Sequence, residues 1–222
     1  FCAVKGGDPD SIDLQEPANI ARAVEKLQLS HVVITSVTRD DLKDGGVHQF
    51  ISTILEIKKL SAEPRIEILT LDNKGEENIF RRLAEVDFEV FNHNVETVPT
   101  LYQKVRPQAD YNRSLKVLDF MKKIKSGIVT KSGIMLGLGE TKTEVKAVLK
   151  DLYEVNCDII TIGQYLQPSS QHLEVQKFVT PEEFKEYKQL AEDIGFKAVA
   201  SGPFVRSSYK SRELFNRAKG EV

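Results

Sequence analysis

His31-Val32-Val33-Ile34-Thr35-Ser36-Val37 is a short run of β-branched and apolar residues that turns polar at its end. A run of this length and character reads as a strand buried on both faces. After a polar, glycine-bearing stretch, Val47, Phe50, Ile51, Ile54 and Leu55 fall at i, i+3, i+4, i+7 and i+8, the stripe of an amphipathic helix. Strand, loop and helix in this order are the unit from which parallel sheets are built.

The unit repeats in both directions. Arg65 to Leu71 reads as a strand followed by a helix carrying Ile79, Phe80, Leu83 and Ala84. Phe88 to Phe91 is the next strand, with Leu115, Leu118 and Met121 on a later helix. Gly127 to Leu138 precedes Val145, Val148, Leu149 and Leu152, Asp158 to Tyr165 precedes the helix Glu182 to Ile194, and Phe196 to Ala200 is a last strand. Thr180 as N-cap, Pro181 in the first turn, Glu183 completing a capping box and Gly195 just past the end delimit that final helix. Upstream, Ile20, Ala23, Val24 and Leu27 form an apolar helix face before the first strand, so the strand of that unit is expected to lie ahead of Phe1. No glycine fingerprint of a dinucleotide crevice follows any strand. The pattern therefore predicts an α/β fold, a partial (β/α) barrel with its first strand missing, rather than a doubly wound sheet. Residues 1–222 read as a single domain. Ser169-Ser170-Gln171-His172 and the polar C-terminal tail are expected to be exposed loops.

Composition narrows the function. With 41% hydrophobic and 29% charged residues among 222, the chain can bury one substantial core. Thirty-one basic against 33 acidic residues give a net charge of −2, which offers no field for nucleic acid or anionic lipid. No stretch reaches the roughly 20 apolar residues of a membrane span. Cys2 and Cys157 are far apart and predict no disulfide, which suggests a reducing compartment. A soluble, cytoplasmic protein is expected, or a mitochondrial or plastid one if the source is eukaryotic. The chain opens at Phe1 rather than Met, and an upstream part is expected.

In such barrels, chemistry sits at the C-terminal ends of the strands. Polar clusters follow several of them: Thr35 to Leu42 with Asp44-Gly45-Gly46, Asn92 to Thr97, Lys131 to Glu140, Gly163 to Ser169, and Ser201 to Tyr209. Each has a plainer reading. Gly45-Gly46 suits a turn before a helix, His93 suits a buried hydrogen bond, Asp40-Asp41 suits a helix N-terminus, and Cys157 suits the core. Glu96 suits an ion pair with Lys104 or Arg106.

Five longer stretches in order, Val32 to Leu42, Asn92-His93-Asn94-Val95-Glu96-Thr97, Thr130 to Met135, Gly163-Gln164-Tyr165-Leu166 and Val205-Arg206-Ser207-Ser208-Tyr209, resemble lipoyl synthase, a radical S-adenosylmethionine (SAM) family. The resemblance runs from Phe1 to about Tyr209. One departure is Leu69 to Asn73, where that family has a Pro-Asp-Phe type of sequence.

The resemblance implies a radical-SAM barrel with two [4Fe-4S] clusters. Cys2 would be the third cysteine of the C-x3-C-x2-C motif that leaves one iron open to SAM. Ser208, in a C-terminal extension at about 201–222, would be the oxygen ligand of an auxiliary cluster. The implied reaction inserts two sulfur atoms at C6 and C8 of a protein-bound octanoyl-lysine, on an octanoylated lipoyl carrier domain or glycine-cleavage H protein, with an external electron donor. Asn94 and Glu96 alternate at a strand end and are expected to reach a ribose or amino group of SAM. Asp40 and Arg106 are further SAM candidates, Arg106 because its guanidinium fork suits a carboxylate, while Arg206 would position the ligand segment. The rival functions are another radical-SAM sulfur inserter of the biotin synthase kind, against which Arg206-Ser207-Ser208-Tyr209 argues, and a non-catalytic truncated barrel. Holding one ligand for each of two clusters, the 222-residue chain by itself is expected to be inactive.

Overall fold

The computed structural model describes Gly7 and residues 9–221. Six strands form one sheet: β1 (His31–Thr35), β2 (Arg65–Leu69), β3 (Val90–Asn92), β4 (Val129–Leu136), β5 (Ile159–Gln164) and β6 (Ala198–Gly202). They lie in sequence order, and every neighbouring pair is parallel. The helices are α1 (Glu16–Lys26), α2 (Val47–Ile57), α3 (Glu77–Ala84), the single turn α4 (Tyr102–Val105), α5 (Tyr111–Ile124), α6 (Lys142–Glu154), α7 (Pro181–Ile194) and α8 (Ser211–Lys219). β1 and β6 do not pair, so the sheet curls into an open, partial (β/α) barrel. No helix among the described residues is long and apolar enough to cross a membrane.

The helical stripes found in the sequence are the faces that pack on the outside of the sheet. Phe50, Ile54 and Ile57 of α2, Phe80 and Leu83 of α3, Leu118 and Met121 of α5 and Val148, Leu149 and Leu152 of α6 join the outward-facing Ile34, Ile66, Ile68, Phe91, Ile134 and Ile160 in one continuous core. α7 is delimited as its signals demand: Thr180 and Glu183 form the capping box, and Gly195 closes the helix at φ 116°. Ser169, Ser170 and Gln171 are exposed.

The C-terminal tail departs from expectation. Instead of an exposed loop it forms α8, whose Leu214, Phe215 and Ala218 enter the barrel interior against Val90, Val129, Ile159 and Ala198. The helix is fastened to the opposite side of the opening: Arg65 Nη1 donates to Asn216 Oδ1 at 2.6 Å, and the Arg65 guanidinium lies 4.8 Å from the Phe215 ring centre. α8 thus stops the lower end of a barrel that its strands leave open.

Above this apolar stopper the interior turns polar. Lys131 Nζ of β4 meets Glu67 Oε1 and Oε2 of β2 at 2.8 and 3.1 Å, with both side chains almost fully buried. Asn92 Nδ2 donates to Glu67 Oε1 at 2.9 Å, and Lys131 Nζ donates to Ser211 Oγ of α8 at 3.1 Å. His31 Nε2 stands 3.7 Å from Glu67 Oε2, beyond hydrogen-bond reach. Burial alone would raise the Glu67 carboxyl, but His31, Lys131 and Asn92 outweigh it and hold it below the usual range.

A buried charge stripped of its partner is among the costliest single changes a fold can suffer. Lys131→Met is expected to lose about 3–5 kcal/mol in urea unfolding, and Ser211→Ala about 0.5–1.5 kcal/mol. Because the folded pKa of Glu67 lies below its unfolded one, the pair's contribution is complete above roughly pH 4.5 and is lost as pH falls through the folded value. A Lys131→Met protein as stable as the parent would show that the pair does not hold the barrel.

Candidate functional site

At the C-terminal end of the strands the barrel opens into a cavity of about 380 Å³. Its lining comes from every strand or strand end: Val33 and Thr35 of β1, Leu69 of β2, Asn94 and Glu96 beyond β3, Gly133 and Met135 of β4, Thr161 and Gly163 of β5, and Val205 to Ser208 after β6. The wall is divided. Val33, Leu69, Met135 and Val205 are apolar, while Asn94, Glu96, Ser207 and Ser208 carry oxygen and nitrogen.

Asn94 and Glu96 come together as expected from their spacing, although not on a regular strand. β3 ends at Asn92, and Glu96 has φ 64°, in the left-handed region that a non-glycine residue seldom adopts. Its amide donates to the Gly133 carbonyl and its carbonyl accepts from Met135, so β4 holds the kinked segment. Asn94 Nδ2 then donates to Glu96 Oε1 at 2.9 Å and to Ser207 Oγ at 2.7 Å. A carboxylate accepts and does not donate, which fixes this orientation of the amide. Asn94 Oδ1 is left buried without a partner.

Two glycines make room for this arrangement. A Cβ on Gly133 would lie 2.9 Å from Asn94 Oδ1, and one on Gly163 would lie 2.3 Å from the Val205 carbonyl oxygen. The segment after β6 can therefore cross β5 in backbone contact and deliver Ser207 and Ser208 to the cavity. Arg206 turns back on this segment, its Nη1 donating to the Val205 carbonyl at 2.7 Å.

The remaining candidates lie elsewhere. Arg106 sits behind the strand end: its Nη1 donates to the carbonyls of Asn94 and Val95 at 3.0 and 3.1 Å and it does not line the cavity. Asp40 is exposed, 3.8 Å from Lys74 Nζ. It does not cap α2 either; Asp44 does, accepting from the amides of Gly46 and His48. His93 is buried with Nδ1 at 2.9 Å from the Thr70 carbonyl, and burial brings its pKa down to about 4, so the ring is neutral. Cys157 is buried, its thiol pushed far up by desolvation. Cys2 lies outside the described residues.

The Radical SAM superfamily profile matches residues 1–152. The curated lipoyl synthase of Caldanaerobacter subterraneus subsp. tengcongensis is 53% identical over 220 residues, which are 99% of this chain and 77% of that protein. The chain belongs to the lipoyl synthase family. The lipoyl synthase of Caldicellulosiruptor saccharolyticus is likewise 53% identical, over 96% of this chain and 75% of its own. Solved structures agree on the fold. HydG, a maturase of the [FeFe]-hydrogenase, superposes with a TM-score of 0.72 at 16% identity over 97% of this chain, which spans half of that one. Methylornithine synthase superposes with a TM-score of 0.57 at 14% identity, over 99% of this chain and 73% of its own.

A radical SAM protein uses a [4Fe-4S] cluster and SAM, and the cavity suits the latter. An orphaned buried acceptor, Asn94 Oδ1, stands beside the half-buried Glu96 carboxylate, an acceptor pair for ammonium or hydroxyl groups. The lipoyl synthase stretches were legible in the sequence, but Ser207, Gly163 and Lys131 were not singled out within them. Gly163 lies beside Gln164, and an inward glycine in a buried strand is a signal of close backbone approach.

Burial raises the Glu96 carboxyl, with Arg106 and the Asn94 hydrogen bond pulling the other way. Carboxyl ¹³C NMR should therefore find Glu96 titrating above the ordinary value of about 4.3, and higher still in Arg106→Ala. A lower midpoint in that variant would contradict the assigned balance.

Proposed function

We propose that this chain forms the catalytic barrel of a lipoyl synthase that adds sulfur at C6 and C8 of an octanoyl group borne on a carrier-protein lysine. The observation that carries this reading is the 2.7 Å bond from Asn94 to Ser207. It brings the strand end expected to bind SAM and the Arg206-Ser207-Ser208-Tyr209 segment to one cavity. When bound, the cluster and SAM supply a one-electron cleavage that can activate an unreactive C–H bond.

The chain's own residues bind, orient and exclude. Asn94 Oδ1 and Glu96 accept hydrogen bonds from the ribose hydroxyls or ammonium of SAM, and the kink at Glu96 aims its carboxylate into the cavity. Arg106 acts one layer back, clamping the Asn94 and Val95 carbonyls, and Asp40 stands exposed beside Lys74, outside the cavity lining. Val33, Leu69 and Met135 form an apolar wall that excludes water and suits an aliphatic chain. Cys2 would be a ligand of the SAM-binding cluster.

Ser208 offers an oxygen to an auxiliary iron–sulfur cluster that donates sulfur. An oxygen suits cluster iron less well than thiolate, so Ser208 would be the weaker-held ligand of such a cluster. An octanoylated lipoyl carrier domain or glycine-cleavage H protein brings the acyl chain, and an electron donor completes the set. The balanced surface charge suits a soluble cytoplasmic enzyme that recognises its carrier locally.

In reconstituted holoenzyme, Glu96→Gln should weaken SAM binding about tenfold or more in equilibrium dialysis, the worth of a charged hydrogen bond. Ser208→Ala should abolish lipoyl product while 5′-deoxyadenosine still forms. Full product from Ser208→Ala, or unaltered SAM affinity in Glu96→Gln, would remove these roles.

A further inference from the structure

Ser208 lies in a stretch with no helix or strand of its own. It is exposed, and among the described residues its hydroxyl makes no hydrogen bond. An irregular, exposed segment ordinarily samples many conformations. For this oxygen to occupy one place in the cavity wall, something on either side must hold it.

The Tyr209 amide donates to the Arg206 carbonyl at 2.8 Å and closes a turn around Ser207 and Ser208, and two further anchors tie that turn to the barrel. On the C-terminal side, Ser211 Oγ accepts from the buried Lys131 ammonium, and Lys210 joins this anchor to the segment at φ 47°. On the N-terminal side, Val205 is pressed against Gly163, but the cavity-facing contact is made by Ser207. Its hydroxyl takes one of the two amide hydrogens of Asn94, and Glu96 takes the other. Among the described residues, Ser207 is thus the one after β6 whose side chain hydrogen-bonds the strand end of Asn94 and Glu96. Its Cα is about 3.8 Å from that of Ser208, one peptide away.

We propose that Ser207 is a positioning residue: held by Asn94, it fixes Ser208 over the cavity, so that the SAM-contacting strand end and the ligand-bearing segment form one unit. This rests on the reading of Ser208 as a cluster ligand. A vacated or turned Asn94 amide would release Ser208 without any change in Ser208 itself, and conversely a displaced Ser207 would leave the Asn94 amide held by Glu96 alone. Ser207 touches neither reacting atoms nor iron. Its effect is geometric, and it requires a hydroxyl oxygen at this point rather than a particular side chain.

The experiment compares Ser207→Ala, Ser207→Thr and Ser208→Ala. In ligand-free protein, Ser207→Ala should speed amide exchange at residues 206–209 about tenfold or more, for the loss of one local hydrogen bond, with β4 and β5 unchanged. In holoenzyme it should alter the Mössbauer signature of the auxiliary cluster as Ser208→Ala does, and raise 5′-deoxyadenosine formed per lipoyl product about fivefold or more. Ser207→Thr, which keeps the hydroxyl, should restore all three. Parent-like exchange and spectrum in Ser207→Ala, or no restoration by threonine, would overturn the inference while an altered Ser208→Ala spectrum leaves the ligand reading standing. A parent-like spectrum in Ser208→Ala would overturn both.

Discussion

The inside of this barrel is organised by one ion pair. Parallel strands flanked by helices must bury both faces, and the outer face does so with ordinary aliphatic packing. The inner face carries Glu67 and Lys131 across the intervening β3. Two opposite charges removed from water hold together only with close geometry and further hydrogen bonds. Asn92 and Ser211 supply them, one from β3 and one from α8. The pair therefore ties three strands of an unclosed sheet to the helix that stops its lower end.

Everything above that layer inherits its placement. The chain reaches α8 only after crossing the mouth of the barrel, so a helix fixed below constrains the Val205 to Tyr209 segment above. Gly163 permits the crossing and Asn94 fastens it. The cavity carries both kinds of lining, with Asn94, Glu96, Ser207 and Ser208 set among Val33, Leu69, Met135 and Val205. A reaction that sets a charged cofactor beside an aliphatic chain needs both.

Much of this was legible in the sequence. Alternation of short apolar runs with helical stripes carries the parallel order, and the capping box at Thr180 delimits α7 to the residue. α8 was missed, although Ser211, Leu214, Phe215 and Ala218 fall at i, i+3, i+4 and i+7. Two of those four are small, and Arg212, Glu213, Arg217 and Lys219 make the stretch look solvated. The Glu67–Lys131 pair was hidden for another reason. Each charge sits alone in an apolar strand, and only the register across β3 brings them together. Asn94 and Glu96 could be placed at one mouth by their spacing, but the left-handed turn at Glu96 has no glycine to announce it. Arg106 looked like a carboxylate fork, whereas its nearest acceptors are the carbonyls of the strand end it supports.

The most direct measurement is mass spectrometry of an octanoyl-lysyl peptide incubated anaerobically with reconstituted holoenzyme, SAM and a reductant. The account predicts a peptide carrying two added sulfur atoms, with 5′-deoxyadenosine formed alongside. A peptide recovered unchanged while its cofactors are fully loaded and SAM is bound would contradict it.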